Sequence, residues 1–509
     1  MPSFPRVEIR PRRSMLFFAI LSIFMVVASY LFVMLLAAAC VYLPYVIIVN
    51  SNSAGAQTIL LFLFGIVIAA TMAWSLLPRP DRFIPPGLLL DRAAQPRLFA
   101  ELDSIAASLD EPIPREVYLI GDVNTWVADR GGFLGIGSRR VMGLGLPLLS
   151  ILTVSQFRAV MVHEFAHYYG GDTRLGPLVY RTQTAIIRIF QNMGSLGSVA
   201  RIAILGVMYL IVATLMKWYF VVFLRAINFV SRKKEYRADE LACLIAGRQP
   251  LIDGLRAIHG AAQAWPAFWE TELTPLIGEG AVPVIADGFA RFVAIPGIHN
   301  QIEKLLEKEI REAKGNPYNT HPPLRDRIAA AQEVAEGLLE ENTNPAHGLL
   351  DRPEVTELRF LETLNPKIKS GTLTAVAWDD VGMKVTIPGW KTYAAEYAAI
   401  LEGVTAESLP NQIPNLRKIG FDIRDPKGML LSPEQRTQRA AGLFAVGLGL
   451  SLFNHGWTIH KGPGVFFLQR GDDRLNPFLV VEQLQSGKLS GQAWASQCRT
   501  LGIAHLPLR

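Results

Sequence analysis

Cysteine is nearly missing from this chain. Three residues in 509, Cys40, Cys243 and Cys498, stand far apart and show no spacing that suits a disulfide framework or a thiolate metal site, which fits a reducing compartment. Internal repeats and low-complexity stretches are absent. The glycine cluster Gly131–Gly137 lacks the Lys-Ser/Thr that would complete a phosphate-binding loop, so it reads as a loop and excludes a nucleotide-binding P-loop there. The net charge of +6 is spread too thinly for a nucleic-acid partner, although it suits an anionic lipid leaflet. Charge is wholly lacking from Ser14 to Pro78. That run divides at Asn50–Gly55 into two apolar blocks, 15–49 and 57–77, each long enough for the ~20 residues that cross a bilayer. The first is too long for the core of a signal peptide and reads as a retained span.

Arginines bracket the pair of spans. Arg6, Arg10, Arg12 and Arg13 precede it, Arg79 and Arg82 follow it, and the connecting turn carries no charge. Positive flanks face the cytoplasm, so the folded domain that follows is expected on the cytoplasmic side. A third apolar block, 202–230, is interrupted only by Lys217 and Arg225. Its partner segment, 178–200, contains Arg181, Gln183, Arg188, Gln191 and Asn192, which are costly in hydrocarbon. A hairpin that enters or lies along the membrane is therefore favoured over two full crossings.

Against this background His163-Glu164-Phe165-Ala166-His167 stands out, since the whole chain has only nine histidines. On a helix, histidines four residues apart share one face and can grip a single zinc ion, while Glu164 is placed to act as general base on a water. The flanks are helical: Thr153 and Gln156 have capping-box spacing, Phe157, Val160, Met161 and Phe165 form an apolar stripe, and Gly170-Gly171 would end the helix. A catalytic zinc also requires a third protein ligand. Glu235, with Asp239 four residues on, offers one carboxylate to a metal and another to a histidine ring N–H. By itself E-x-x-x-D after Arg232-Lys233-Lys234 is equally a solvated helix face.

Three separated motifs carry a resemblance to the HtpX-like and C-a-a-X-protease-like membrane zinc metallopeptidases, a branch of the gluzincins. They are His163–His167 with Asp172 following, Glu235–Asp239, and Asn319-Thr320-His321-Pro322-Pro323 with Arg327 beyond it. The likeness covers roughly residues 85–340. It implies that His163, His167 and Glu235 ligate Zn2+ and that Glu164 is the base. It further implies that His321 and Arg327 lie beside the metal, His321 as a candidate to contact the zinc, the substrate or the oxyanion and Arg327 as a second candidate donor to the oxyanion. Asn124, Thr125 and Trp126 resemble the family's edge strand, on which an extended substrate could pair, and 140–146 resembles the strand leading into the active-site helix.

The resemblance implies an integral membrane endopeptidase, of the bacterial inner membrane and with its catalytic domain in the cytoplasm, acting on protein or peptide substrates in quality control. Cleavage of lipidated C-terminal peptides and a non-catalytic membrane scaffold are the alternatives. The expected fold is α+β and mostly helical. A transmembrane hairpin occupies 1–83, a metallopeptidase domain with its apolar insertion 202–230 occupies 84–345, and an accessory α+β module of unknown role occupies 346–509. Helices are expected at 96–109, 302–314, 324–340 and 440–453. Strands are expected at 117–120, 372–376, 383–387, 457–461 and 465–469, the last two joined as a hairpin.

Overall fold

The structure, a computed structural model, describes residues 13–50, 55–132, 137–169, 176–197, 202–313, 315–316, 318–336, 341–365, 368, 371–423 and 431–508. Arg6, Arg10, Arg12, Gly170, Gly171, Asp172, the whole of 51–54 and residues 133–136 of the glycine cluster lie outside the described residues. The chain is mostly helical with small sheets. Its contacts divide it into two compact units, one formed by Met1–Ala262 with Gln301–Asp351, the other by Gln263–Asn300 with Arg352–Arg509. Residues 263–300, which a linear reading gives to the peptidase domain, thus associate with the C-terminal part.

In the first unit, α1 (Arg13–Asn50) and α2 (Ala56–Leu76) pair along their length. Their approach depends on Gly65, where an added Cβ would stand 2.0 Å from the carbonyl oxygen of Cys40. Helices α6 (Gly176–Gly194) and α7 (Ala203–Ala246) join them around a shared apolar core that includes Val33, Ile68, Met72, Ile189, Met216 and Phe223. Among the described residues three helices are long and apolar enough to cross a membrane, Phe17–Asn50, Ala56–Leu76 and Ile204–Ala246. Helix α6, with its arginines and amides, is not one of them. It packs beside α2, and Asn192 donates to the Ser75 hydroxyl at 2.9 Å.

Helix α7 is the main surprise. The apolar block and the charged Glu235–Asp239 motif are not separated by a loop but lie on one unbroken helix of 44 residues. With a rise of 1.5 Å per residue it reaches about 66 Å, far beyond one hydrocarbon layer. Its polar last third, from about residue 231, extends out of the apolar bundle to the site.

A four-stranded sheet, ordered β1 (Leu88–Leu89), β2 (Glu116–Ile120), β4 (Arg139–Gly145), β3 (Thr125–Arg130), supports the other side of that site. Strands β2 and β4 are parallel and β3 is antiparallel at the edge, as expected for the strand that begins near Asn124. Helix α3 (Pro96–Ser108) crosses between β1 and β2, and β4 runs through the short α4 (Leu146–Ile151) into α5 (Val154–Ala166). Helix α8 (Arg248–Phe268) follows α7, and the helix expected over 324–340 stops at Gln332.

The second unit is built around the apolar helix Pro433–Asn454, as expected for 440–453, with Leu443, Phe444, Leu448, Trp457, Leu468 and Trp494 in its core. The hairpin Thr458–Gly462 with Val465–Arg470 forms as the sequence suggests, and Asp473–Leu475 extends it to three strands. The strand expected over 383–387 does not form. Alternating Met383, Val385 and Ile387 mimic strand periodicity, but Gly382–Thr386 is a wide helical turn leading into helix Ile387–Glu396, whose first turn holds Pro388. Proline favours the first helical turn over a strand interior.

If Gly65 sets the distance between α1 and α2, Gly65→Ala should lower stability by about 1–3 kcal/mol through overpacking. Gly55→Ala, with open space around it, should change little. Thermal unfolding in detergent micelles measures both, and equal midpoints would contradict the packing described.

Candidate metal centre

Helix α5 is defined at its start by the capping box read from the sequence. The Thr153 hydroxyl accepts from the Gln156 N–H at 3.2 Å, and Gln156 Oε1 accepts from the Thr153 N–H at 3.0 Å. Backbone carbonyls of Asn344 and Asn342 take the next free N–H groups, those of Val154 and Ser155. Arg158 on α5 forms a two-pronged pair with Glu101 of α3, at 2.5 and 3.2 Å, in a nearly dry setting. These contacts fix the helix that presents His163, Glu164 and, as its C-terminal cap, His167.

One turn apart, the two imidazoles sit edge to face, 4.8 Å between ring centres. Glu235, from α7, stands opposite. Its Oε2 is 3.5 Å from His163 Nε2 and its Oε1 is 3.5 Å from His167 Nε2. Donor atoms of all three lie within 4.8 Å of one another. Four ligands about 2.0–2.2 Å from zinc in a tetrahedron are separated by roughly 3.3–3.5 Å, so two nitrogens and a carboxylate at this spacing fit the ion. The set is also chemically apt, combining two imidazoles with one hard anion.

The surrounding groups lock the ligands in place. Asp239 Oδ1 accepts from His163 Nδ1 at 2.9 Å, which leaves Nε2 free for a metal. Arg327, from helix Leu324–Gln332, grips Asp239 with two bonds, Nε to Oδ2 at 2.8 Å and Nη2 to Oδ1 at 2.6 Å. Its Nη1 is 3.9 Å from Glu235. Arg327, which the resemblance sets beside a reacting carbonyl, is therefore committed chiefly to holding Asp239. His321 Nδ1 lies 2.9 Å from Glu235 Oε2, and with 67 % of its side chain exposed it is free to face a ligand.

The electrostatics follow from these contacts. Burial pushes Glu164 up to about 7, with the Glu235 charge adding to the effect. Burial disfavours a charged His163, but its bonds to Asp239 and Glu235 prevail and raise it to about 9. His167, buried beside a cationic neighbour, falls to about 3. Burial would raise Glu235, yet hydrogen bonds from His163 and His321 hold it far below the usual carboxylate range. Asp239 is opposed by burial in the same way and is held down at about 2 by Arg327. Without a metal, a proton on His163 balances the buried carboxylates.

A cavity of about 90 Å3 opens beside Glu164. Asn124 and Thr125 line it, as does His321. Trp126 does not: its ring covers Gly143, where a Cβ would stand 2.5 Å away, and joins the cluster of Tyr118, Ile120 and Val141. The far wall, Leu251, Leu255, Ile258 and His259 of α8, escaped the sequence reading. Its only signal was the i, i+4, i+7, i+8 spacing of one helix face, which any packed helix shares.

A histidine pair on one helix and a carboxylate from a long apolar helix thus form a cluster that could hold a metal ion, with Glu164 beside it. Residues 92–335, just under half of the chain, match the model of Peptidase family M48. It is similar to the "Protease HtpX homolog" of Chlorobium phaeobacteroides (strain DSM 266 / SMG 266 / 2430), 26% identical over 216 residues, covering 39% of this chain and 59% of the relative. It is also similar to "Protease HtpX" of Ectopseudomonas mendocina (strain ymp), 27% identical over 196 residues, covering 37% of this chain and 56% of the relative. The chain thus spans less than two thirds of the length of each.

Because a metal must displace the His163 proton, apparent zinc affinity should climb about tenfold per pH unit and level off above about 9. Titration against a competing chelator at several pH values reads this slope. A pH-independent affinity would contradict the proton balance described.

Proposed function

We propose that this chain is a membrane-anchored, zinc-dependent endopeptidase. The observation that carries the reading is the convergence of His163, His167 and Glu235 at metal-ligand spacing with Glu164 beside them. Zn2+ held there would supply Lewis acidity, polarising the scissile carbonyl and making water acidic enough to attack near neutral pH. Glu164 takes the proton of the attacking water and returns it to the leaving amine. Its elevated pKa suits both halves of that task.

His321 donates to the oxyanion that forms at the carbonyl, while Arg327 and Asp239 keep His163 in register. Substrate lies extended along the edge strand β3, bonded through its backbone near Asn124 and Thr125, so many sequences are accepted. The cavity beside Glu164 has room for one small apolar side chain. Breadth of this kind suits the removal of unfolded, damaged or membrane-associated proteins at a bacterial inner membrane. The intact Glu164 disfavours a non-catalytic scaffold. Cleavage of lipidated C-terminal peptides calls for a large helical chamber, for which three candidate spans among the described residues give little support.

Glu164→Gln should lower kcat/KM on an unfolded protein such as casein by about 10^2–10^4 and leave zinc bound. His163→Ala should lose the zinc as well. Unchanged activity in Glu164→Gln rejects the mechanism, and zinc-independent activity rejects the metal. In sealed inverted membrane vesicles, added protease should degrade the domain that carries the site, and protection there would place it on the opposite side.

A further inference from the structure

A second cavity, of about 260 Å3, lies where α2 ends and α6 passes it. Arg79, Arg82, Arg181 and Arg188 converge on it from two separate segments. Of the acids that also line it, Asp81 bonds Arg130 at 2.8 and 3.1 Å and lies close enough to Arg181 to feel its charge, and Asp129 faces Arg140 at 4.0 Å. Among the described residues no carboxylate lies within 4 Å of the four converging arginines. Arg188 and Arg79 are close enough to repel each other, and Arg188 Nε is buried without a hydrogen-bond partner. Four arginines around one cavity, one of them with a buried unfilled donor, favour an anion there.

The cavity's other wall is apolar, with Tyr30 of α1, Leu76 of α2 and Leu178 of α6. Its level follows from α2, a 21-residue helix matched to one hydrocarbon layer, whose C-terminal end opens directly onto Arg79. A cationic floor and an apolar wall at that depth match an amphiphile with a phosphate head. We propose that this cavity binds an anionic phospholipid, with its phosphate on Arg79, Arg82, Arg181 and Arg188 and the start of its acyl chains against Tyr30, Leu76 and Leu178. Arg130, bonded to Asp81 at the rim, is the last residue of β3, so the bound lipid would also brace the edge strand.

This site is independent of the metal and of peptidase activity, and its test uses neither. Full-length protein is placed in nanodiscs of phosphatidylcholine, of phosphatidylcholine with phosphatidylglycerol, and of phosphatidylcholine with added inorganic phosphate. Thermal midpoint and lipid retained in native mass spectra are then read. Phosphatidylglycerol should be retained and raise the midpoint above that in phosphatidylcholine alone. Arg181→Gln with Arg188→Gln should weaken retention roughly 30-fold, about fivefold per arginine. Exposed Arg82→Gln, which disturbs no packing, should weaken it about fivefold, and Arg311→Gln elsewhere on the surface should not change it. Equal retention of the two lipids by wild-type protein, equal retention by Arg82→Gln and Arg311→Gln, or inorganic phosphate acting as well as the lipid would each overturn the proposal.

Discussion

A buried carboxylate between two imidazoles organises this molecule. Glu235 is almost dry, and an anion in that setting is costly unless cations or hydrogen-bond donors surround it. It is met by two histidine nitrogens at 3.5 Å each and by His321 at 2.9 Å. Those partners come from α5 and from the segment before helix Leu324–Gln332. One charge thus ties three stretches of chain, separated by as many as 158 positions, to a single point. A divalent ion is the partner this arrangement accommodates best, since it satisfies all three donors at once.

Helix α7 gives that point its address. The apolar turns that pack against α1 and α2 and the turn that bears Glu235 belong to one continuous helix, so the apolar bundle sets the position of Glu235 directly. On the opposite side, α5 is held by its capping box, by the Asn342–Asn344 backbone and by the dry Arg158–Glu101 pair. The three candidate ligands are therefore supported on well-packed helices rather than on loops, which favours a fixed geometry. Asp239 and Arg327 complete the support: the guanidinium neutralises the carboxylate that holds His163.

Local chemistry was legible from the sequence, and remote pairing was not. The helical spacing of His163 and His167, the Thr153–Gln156 box, the two apolar spans and the Gly462-Pro463-Gly464 hairpin all rest on neighbours within a few residues, and all are present. Glu235 and Asp239 are candidates from their spacing on one helix face, and the family resemblance is what favours them over a solvated face; that Asp239 meets His163 is visible only in the structure. The fork of Arg327 on Asp239, 88 residues apart, leaves no local trace, and the resemblance alone points the arginine at the oxyanion instead. Trp126 was grouped with its neighbours in the edge strand, but a strand alternates faces and its ring went to Gly143. Over 383–387 apolar alternation favours a strand and Pro388 a helix start, and the chain follows the proline. The placement of 263–300 with the C-terminal unit depends on long-range packing that composition does not encode.

The claim beneath all of this is that one ion is shared by His163, His167 and Glu235. X-ray absorption at the zinc edge, on the purified full-length protein, tests it most directly. The account predicts two imidazole nitrogens and carboxylate oxygen at about 2.0–2.2 Å, with an imidazole signal that shrinks in His167→Ala. A zinc shell without histidine, or one identical in wild type and His167→Ala, would contradict it.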